Sequence, residues 1–415
     1  MKNLKGACLF GQSGGPTSVI NASAAGVFLE AMEQELITEI YGAEHGIRGV
    51  LEEKFFDMRK EDKKELEYLK NTPSSALGSV RYKLKPLEVD DTDYKRILEV
   101  FKKWNIRYFF YNGGNDSMDT CNKISKFLQG NGYECNVVGV PKTIDNDLFG
   151  TDHCPGYASA AKYVATSLME LYLDTHVYDT GMVTIVEVMG RNAGWLTAAA
   201  SLASLKGYGP DLIYLPEQVF DVDEFIEDIK KVMAEKQNKV IAVVSEGIKD
   251  KNGKYIPELL ASMNKDSFGH AQLGGTASIL AGLVSEKLKI KVRPIEFSLL
   301  QRCGAHLASG TDIEEAFMAG RMAVRNACNG VTDKMVIFER KNNKKYEIEY
   351  KLVDLALAAN TEKKVPESWI LPNHKGLTKD FYDYALPLIQ GEANQPKEDS
   401  LPRFAKLKKV YAKLK

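Results

Sequence analysis

The chain has 415 residues, 44% of them hydrophobic, with 55 Lys and Arg against 56 Asp and Glu. That length and apolar content suit two or three globular domains, and the balanced charge leaves no net positive field to recruit nucleic acid or an anionic membrane. No run nears the roughly 20 apolar residues of a membrane span, and the start lacks a signal-peptide pattern. The cysteines at 8, 121, 135, 154, 303 and 328 include no Cys-x-x-Cys pair, which points to reduced thiols and a cytoplasmic protein rather than a disulfide framework.

In chain order, Gly6 to Phe10 predicts a short buried strand, Gly11 to Thr17 a loop, and Val19 to Met32 a helix. Tyr94, Ile97, Leu98, Phe101 and Trp104 form a helix face ahead of a strand at Arg107 to Tyr111. The alternation continues with Met118 to Leu128, Asn136 to Val140, Val164 to Tyr172, Met182 to Val188 and Leu196 to Leu205. It runs on through Leu212 to Leu215, Phe225 to Met233, Val240 to Val244 and Ser278 to Leu288. Strands alternating with helices predict parallel sheets in an α/β fold. Met335 to Arg340 and Tyr346 to Tyr350, joined by the polar Lys341 to Lys345, predict a hairpin. A mostly helical basic tail is expected after it.

Several loops that follow strands carry chemistry, and open α/β sheets bind ligands where strands run out. Gly11-Gln-Ser-Gly-Gly-Pro-Thr17 lies between a strand and a helix. It fits either a phosphate cradle of backbone N–H groups or an ordinary tight turn, and it lacks the Gly-Lys-Ser/Thr ending of a Walker A loop. In Gly113-Gly-Asn-Asp-Ser117, Asn115 or Asp116 could cap the following helix or hold Mg2+ through oxygen. Pro141-Lys-Thr-Ile-Asp-Asn-Asp147 packs Lys142 with two carboxylates. In an extended segment Asp145 and Asp147 point the same way, one as general base and the other as its orienting partner, although an isolated Asp-x-Asp also suits a solvated turn. Arg191 ends a strand and offers either a phosphate clamp or a surface ion pair. Glu246 suits sugar hydroxyls, and Arg293 and Arg302 offer cations for a second phosphate.

Taken in order, these segments resemble the phosphofructokinase family. The matching residues are Ser13-Gly14-Gly15 with Asn21, Leu77-Gly-Ser-Val-Arg81, Gly113-Gly-Asn-Asp-Ser117, Pro141-Lys-Thr-Ile-Asp-Asn-Asp147, Met189-Gly190-Arg191, Ser245-Glu-Gly247 and Gln301-Arg302, spanning about residues 1–325. Pyrophosphate-dependent members of that family are similar to this chain in having Asp at position 116 and Lys at 142, where ATP-dependent members have Gly. A carboxylate at 116 would repel the α-phosphate of ATP, and Lys142 adds charge for compact pyrophosphate.

The resemblance implies reversible, Mg2+-dependent transfer of phosphate from pyrophosphate to the 1-hydroxyl of fructose 6-phosphate. It implies Asp145 as base, with Asp147, Lys142 and Arg191 completing the catalytic group. Gly14, Gly15, Arg81, Asp116 and Lys142 are implied for pyrophosphate. Thr143, Asp145, Met189, Gly190, Arg191, Glu246, Arg293 and Arg302 are implied for substrate, and Asn115 and Asp116 for the metal. Arg293 matches a position that often reaches a neighbouring subunit's site, which implies a homo-oligomer, a dimer or tetramer.

Three departures stand out. Asn115 replaces the usual metal-linked Asp, Met182 a phosphate-binding Arg nine residues before Arg191, and Leu299 a polar residue three before Arg302. They keep open sedoheptulose 7-phosphate as acceptor and a non-catalytic regulatory subunit of the same fold. An ATP-dependent enzyme is the further alternative within the family, and an NAD or lipid kinase would match only the 113–117 loop. The expected architecture is two Rossmann-like three-layer α/β/α domains with mostly parallel sheets and the active site between them. Residues 1–155, with a return near 298–325, would hold the donor; 156–297 would hold the sugar; and 326–415 would form the hairpin and helical extension.

Overall fold

Strand β1 (Gly6–Gln12) is buried along its whole length, so it reads as an apolar run rather than an alternating one, as a strand covered on both faces must. A computed structural model describes residues 4–256, 258, 275–341 and 345–414. They form two compact units: unit 1 is Met1–Ser159, Arg302–Glu362 and Gln390–Lys415, and unit 2 is Ala160–Gln301 and Lys363–Ile389.

Unit 1 is built on a seven-stranded sheet. With β2 (Ile37–Ala43), β3 (Phe55–Asp57), β4 (Ile106–Gly113), β5 (Asn136–Pro141), β10 (Lys334–Arg340) and β11 (Ile348–Asp354), the order is β11-β10-β5-β4-β1-β2-β3. The five inner strands are parallel and the two edges, β3 and β11, antiparallel. Alternate residues feed two cores: Leu9, Phe109, Tyr111 and Val137 on one face, and Cys8, Phe10, Tyr108, Phe110, Val138 and Val140 on the other. The chain leaves β1 for β2 on one side and later returns to β4 on the other. That reversal places a topological switch point between β1 and β4, with Gln12 opposite Asn112.

Two helices cross closely on one face. A Cβ on Gly26, in helix Ile20–Glu33, would lie 2.0 Å from the Phe317 carbonyl oxygen, and one on Gly320, in helix Gly310–Cys328, would lie 2.1 Å from that of Ser23. Only glycine permits that approach from both sides. Buried Glu30 accepts from Arg321 at 2.6 Å and Arg325 at 2.9 Å across the same seam.

The loop after β5 is anchored by a buried charge network. His153 is fully buried, with Nδ1 2.8 Å from Asp152 and Nε2 2.6 Å from Glu315. Tyr346 donates to Glu315 at 2.5 Å, and Arg340 pairs with Asp152 at 2.9 Å. Burial alone would lower the His153 pKa, but Glu315 and Asp152 outweigh it and hold the ring protonated, with a pKa of about 9.

Unit 2 has a four-stranded parallel sheet in the order β7-β8-β6-β9, made of β6 (Met182–Val188), β7 (Leu212–Tyr214), β8 (Lys239–Ser245) and β9 (Val292–Glu296). Its core includes Val183, Ile185, Tyr214, Phe225, Ile229, Val240, Ala242, Val244 and Leu280.

Several local expectations change. Leu196 to Leu205 begins as the short α-helix Trp195–Ala199 and continues as a 3-10 helix to Lys206. The hairpin forms, with its second strand at Ile348–Asp354; positions 342–344 of the expected turn lie outside the described residues. The tail is less helical than its composition suggests, with α-helices only at Leu355–Asn360 and Lys379–Ala385 among the described residues. Residues 326–415 divide between the units, because β10 and β11 extend the first sheet while Lys363–Ile389 packs in unit 2. None of the six cysteines is in a disulfide. No described helix is long and apolar enough to cross a membrane.

Candidate active site

In unit 1, the loops after β1, β4 and β5 leave the sheet from adjacent strands and line a cavity of about 480 Å³. Gly14, Gly15, Arg81, Asn115, Asp116, Lys142, Thr143, Asp145 and Asp147 all face it.

Buried amides fix the first loop. Gln12, at the end of β1, donates to Asn21 at 2.9 Å and accepts from the Leu77 N–H at 3.0 Å, while Asn21 donates to the Thr72 carbonyl at 2.9 Å. The amide pair thereby pins the segment leading to Arg81. Ser79 completes the join by donating to the Gly14 carbonyl at 2.6 Å. Gly14 has φ 74°, a left-handed conformation that glycine adopts at little cost. A Cβ at Gly15 would come within 2.8 Å of Arg302 Nη1, so the loop stays bare where the guanidinium crosses it.

Helix Asn115–Gly130 starts after Gly114 with no side-chain cap. The capping role open to Asn115 and Asp116 is therefore not used, and the first turn of the helix, Asn115 to Ser117, lines the cavity. Asn115 Nδ2 donates to Asp147 at 3.1 Å, and its Oδ1 is buried without a hydrogen-bond partner. Asp116 is exposed and pairs with Lys83 at 3.6 Å.

The segment after β5 is a turn rather than the extended run expected. Thr143 Oγ1 accepts from the Asp145 N–H at 3.1 Å. Asn146 takes φ 55° and holds the Cys154 N–H at 2.9 Å through its buried side chain. Asn tolerates that conformation better than other non-glycine residues, and the turn leaves both Asp145 and Asp147 lining the cavity. Lys142 is buried and donates to the Gly15 carbonyl at 2.7 Å. Burial pushes its pKa down to about 8; Asp145 and Asp147 oppose the shift, and Arg302 and Arg81 add to it. A buried lysine with two arginines in range, beside glycine backbone, is suited to a small polyanion.

In unit 2, Met189, Gly190, Arg191 and Glu246 gather where β6 and β8 end. The Gly190 N–H lies 3.5 Å from Glu246, Ser245 donates to the Gly190 carbonyl at 2.7 Å, and Met189 N–H donates to Gln301 at 3.0 Å. Gly247 has no room for a side chain, since a Cβ would lie 1.9 Å from the Arg191 carbonyl oxygen. Arg191 is exposed, its guanidinium 6.0 Å from the Tyr255 ring centroid.

Arg293 does not join this group. It sits near the start of β9 opposite Thr184, five residues and roughly 16 Å of strand from Met189, and pairs with Asp174 at 2.7 Å. Met182 is the first residue of β6 and buried, whereas Leu299 is 54% exposed.

Tyr82, Lys83 and Glu362 also line the unit 1 cavity, beyond the residues the sequence singles out. Lys83 lies two residues after Arg81, a spacing that could have marked it; nothing near Glu362 in the sequence signals its place.

The phosphofructokinase family model matches residues 8–295, and the chain belongs to that family. It is 45% identical over 412 residues, 98% of this chain and 97% of the relative, to the pyrophosphate–fructose 6-phosphate 1-phosphotransferase of Xanthomonas campestris pv. campestris (strain B100). The enzyme of that name from Halomonas elongata is 42% identical, with 96% of each chain covered. The crystal structure of a pyrophosphate-dependent phosphofructokinase from Nitrosospira multiformis aligns with a TM-score of 0.89 at 39% identity, covering 99% of this chain and 98% of that one.

Proposed function

We propose that this protein transfers phosphate reversibly from pyrophosphate to the 1-hydroxyl of fructose 6-phosphate, giving fructose 1,6-bisphosphate and phosphate. The observation that carries the donor assignment is Lys142, a buried cation beside Gly14 and Gly15 in a cavity that also presents Arg81. Exposed Asp116 on the same cavity supplies the repulsion that disfavours the α-phosphate of ATP.

In the forward direction the fructose O1 attacks the terminal phosphorus, the bridging P–O bond breaks, and phosphate leaves with the electron pair. Asp145 takes the O1 proton, and Asp147 holds the acceptor in line with it. Lys142, Arg81 and Arg302 neutralise the transferring group, so that positioning and charge supply the catalysis. Thr143 assists beside Asp145. Met189, Gly190, Arg191 and Glu246 bind the sugar phosphate.

Mg2+ fits the site, because buried Asn115 Oδ1 lacks a partner and Asn115 lies beside Asp147, an oxygen set of the kind this ion prefers. Asn115 and Asp116 would hold it, and when bound it would spread the charge of the pyrophosphate. Arg293, set away from Met189 on its own chain, serves a neighbouring subunit's site in a homodimer or homotetramer. The protein works in the cytoplasm, in glycolysis.

Initial rates with Mg2+ and fructose 6-phosphate, comparing pyrophosphate with ATP at equal concentration, test this reading. Turnover with pyrophosphate alone is expected; turnover with ATP alone overturns the donor assignment. If sedoheptulose 7-phosphate gives the higher kcat/KM, the acceptor assignment falls while the donor assignment stands.

A further inference from the structure

Unit 2 carries a side-chain cluster that phosphate transfer does not use. Glu224 and Asp228 stand four residues apart on helix Val222–Glu235, so their side chains share one face. The returning segment Lys363–Ile389 brings the turn Pro372–His374 against them. One ring nitrogen of His374 and one carboxylate oxygen from each acid lie within 4.8 Å of one another.

His374 is only 8% exposed, and its Nδ1 is buried without a hydrogen-bond partner. The ring stacks on Tyr214, with centroids 4.1 Å apart, and the Tyr214 hydroxyl donates to Asp228 Oδ2 at 3.1 Å. Burial lowers the His374 pKa and favours the neutral ring, while Glu224, Asp228 and a backbone hydrogen bond to Ile213 oppose that shift.

An imidazole beside two carboxylates is a mixed nitrogen and oxygen donor set. It suits a transition dication such as Zn2+ better than Mg2+, which prefers all-oxygen octahedral surroundings. We propose that Glu224, Asp228 and His374 form a binding site for a dication of the Zn2+ class, clamping the returning segment onto helix Val222–Glu235. Water would complete the coordination. Lys231, 3.2 Å from Asp228 Oδ1 with its side chain 69% exposed, swings into solvent when the ion enters. Glu224, on the exposed side of the cluster, closes the remaining distance by rotating.

The test uses the full chain, stripped with chelator and kept in saturating Mg2+ to occupy oxygen-rich sites. Zn2+ is titrated calorimetrically and Co2+ by visible absorption. The parent should bind one equivalent of Zn2+ and unfold several degrees higher with it, because an ion that binds only the folded state raises its stability. Glu224→Gln should weaken that binding about 10-fold, and His374→Gln should abolish it and the Co2+ spectrum, both with phosphate-transfer rates unchanged. Equal Zn2+ affinity in parent and variants, or no stoichiometric binding by the parent, overturns the proposal. Should His374→Gln fail to fold, the exposed Glu224→Gln decides alone.

Discussion

Lys142 and His153 are both buried in unit 1, and each has two carboxylates in range, yet their pKa values move in opposite directions. His153 meets a carboxylate at each ring nitrogen, at 2.8 and 2.6 Å, which more than offsets its desolvation. Lys142 donates to a backbone carbonyl, with Arg302 and Arg81 close enough to push its pKa further down. A closed ion network holds its proton firmly and supports the fold. A cation crowded by other cations holds its proton weakly and gains from an arriving anion.

The largest effect expected on the active side of this contrast is from Asp145→Asn, which removes the proposed base. It should lower kcat about 10³-fold with the KM for pyrophosphate little changed; a drop of less than about 10-fold would move the base elsewhere. On the structural side, His153→Gln leaves Asp152 and Glu315 without their shared cation and should cost about 3 kcal/mol at pH 6, measured by denaturant unfolding. Because the folded pKa of about 9 lies above the ordinary 6.5, this stabilisation is full below pH 6.5 and is lost as pH rises through about 9. The gap between parent and variant should therefore narrow over that window, and a constant gap would break the contrast.

Lys142→Met should raise the KM for pyrophosphate roughly 10- to 100-fold, the range for a charge-assisted hydrogen bond. In the parent that KM should climb above pH 8 as Lys142 loses its proton, and the variant should lose that rise. The smallest effect belongs to Asp116→Gly. Its exposed pair with Lys83 is worth at most ~1 kcal/mol, so stability should barely change while slow turnover with ATP appears. Unchanged donor selectivity would remove Asp116 from the specificity argument.

The loops that line the unit 1 cavity are legible because glycine and carboxylates cluster where apolar strands end, and the parallel sheets follow from the same alternation of strands and helices. What escapes reading depends on distant partners. His153 meets Glu315 across 162 residues of sequence, and Gln12 meets Leu77 across 65, so neither stands out locally. The Asp145 to Asp147 turn reads as extended in the sequence because the conformation of Asn146 is set by Cys154, beyond the motif. Arg293 lies apart from the other sugar candidates because it is the second residue of β9, a strand whose short alternating pattern does not stand out in the sequence, and so sits at the N-terminal end of that parallel strand.

The glycine crossing between helices Ile20–Glu33 and Gly310–Cys328 also bears on how the protein is made. The helix that follows the Gly14 loop has its packing partner almost 300 residues downstream, and Glu30 waits for Arg321 and Arg325 from the same late segment. A ribosome-bound chain ending before residue 302 lacks that helix, strand β10 and Arg302. Such a nascent chain should expose the apolar face of the first sheet to chaperones, and its Gly14 loop should become rigid only once Arg302 and helix Gly310–Cys328 have been made.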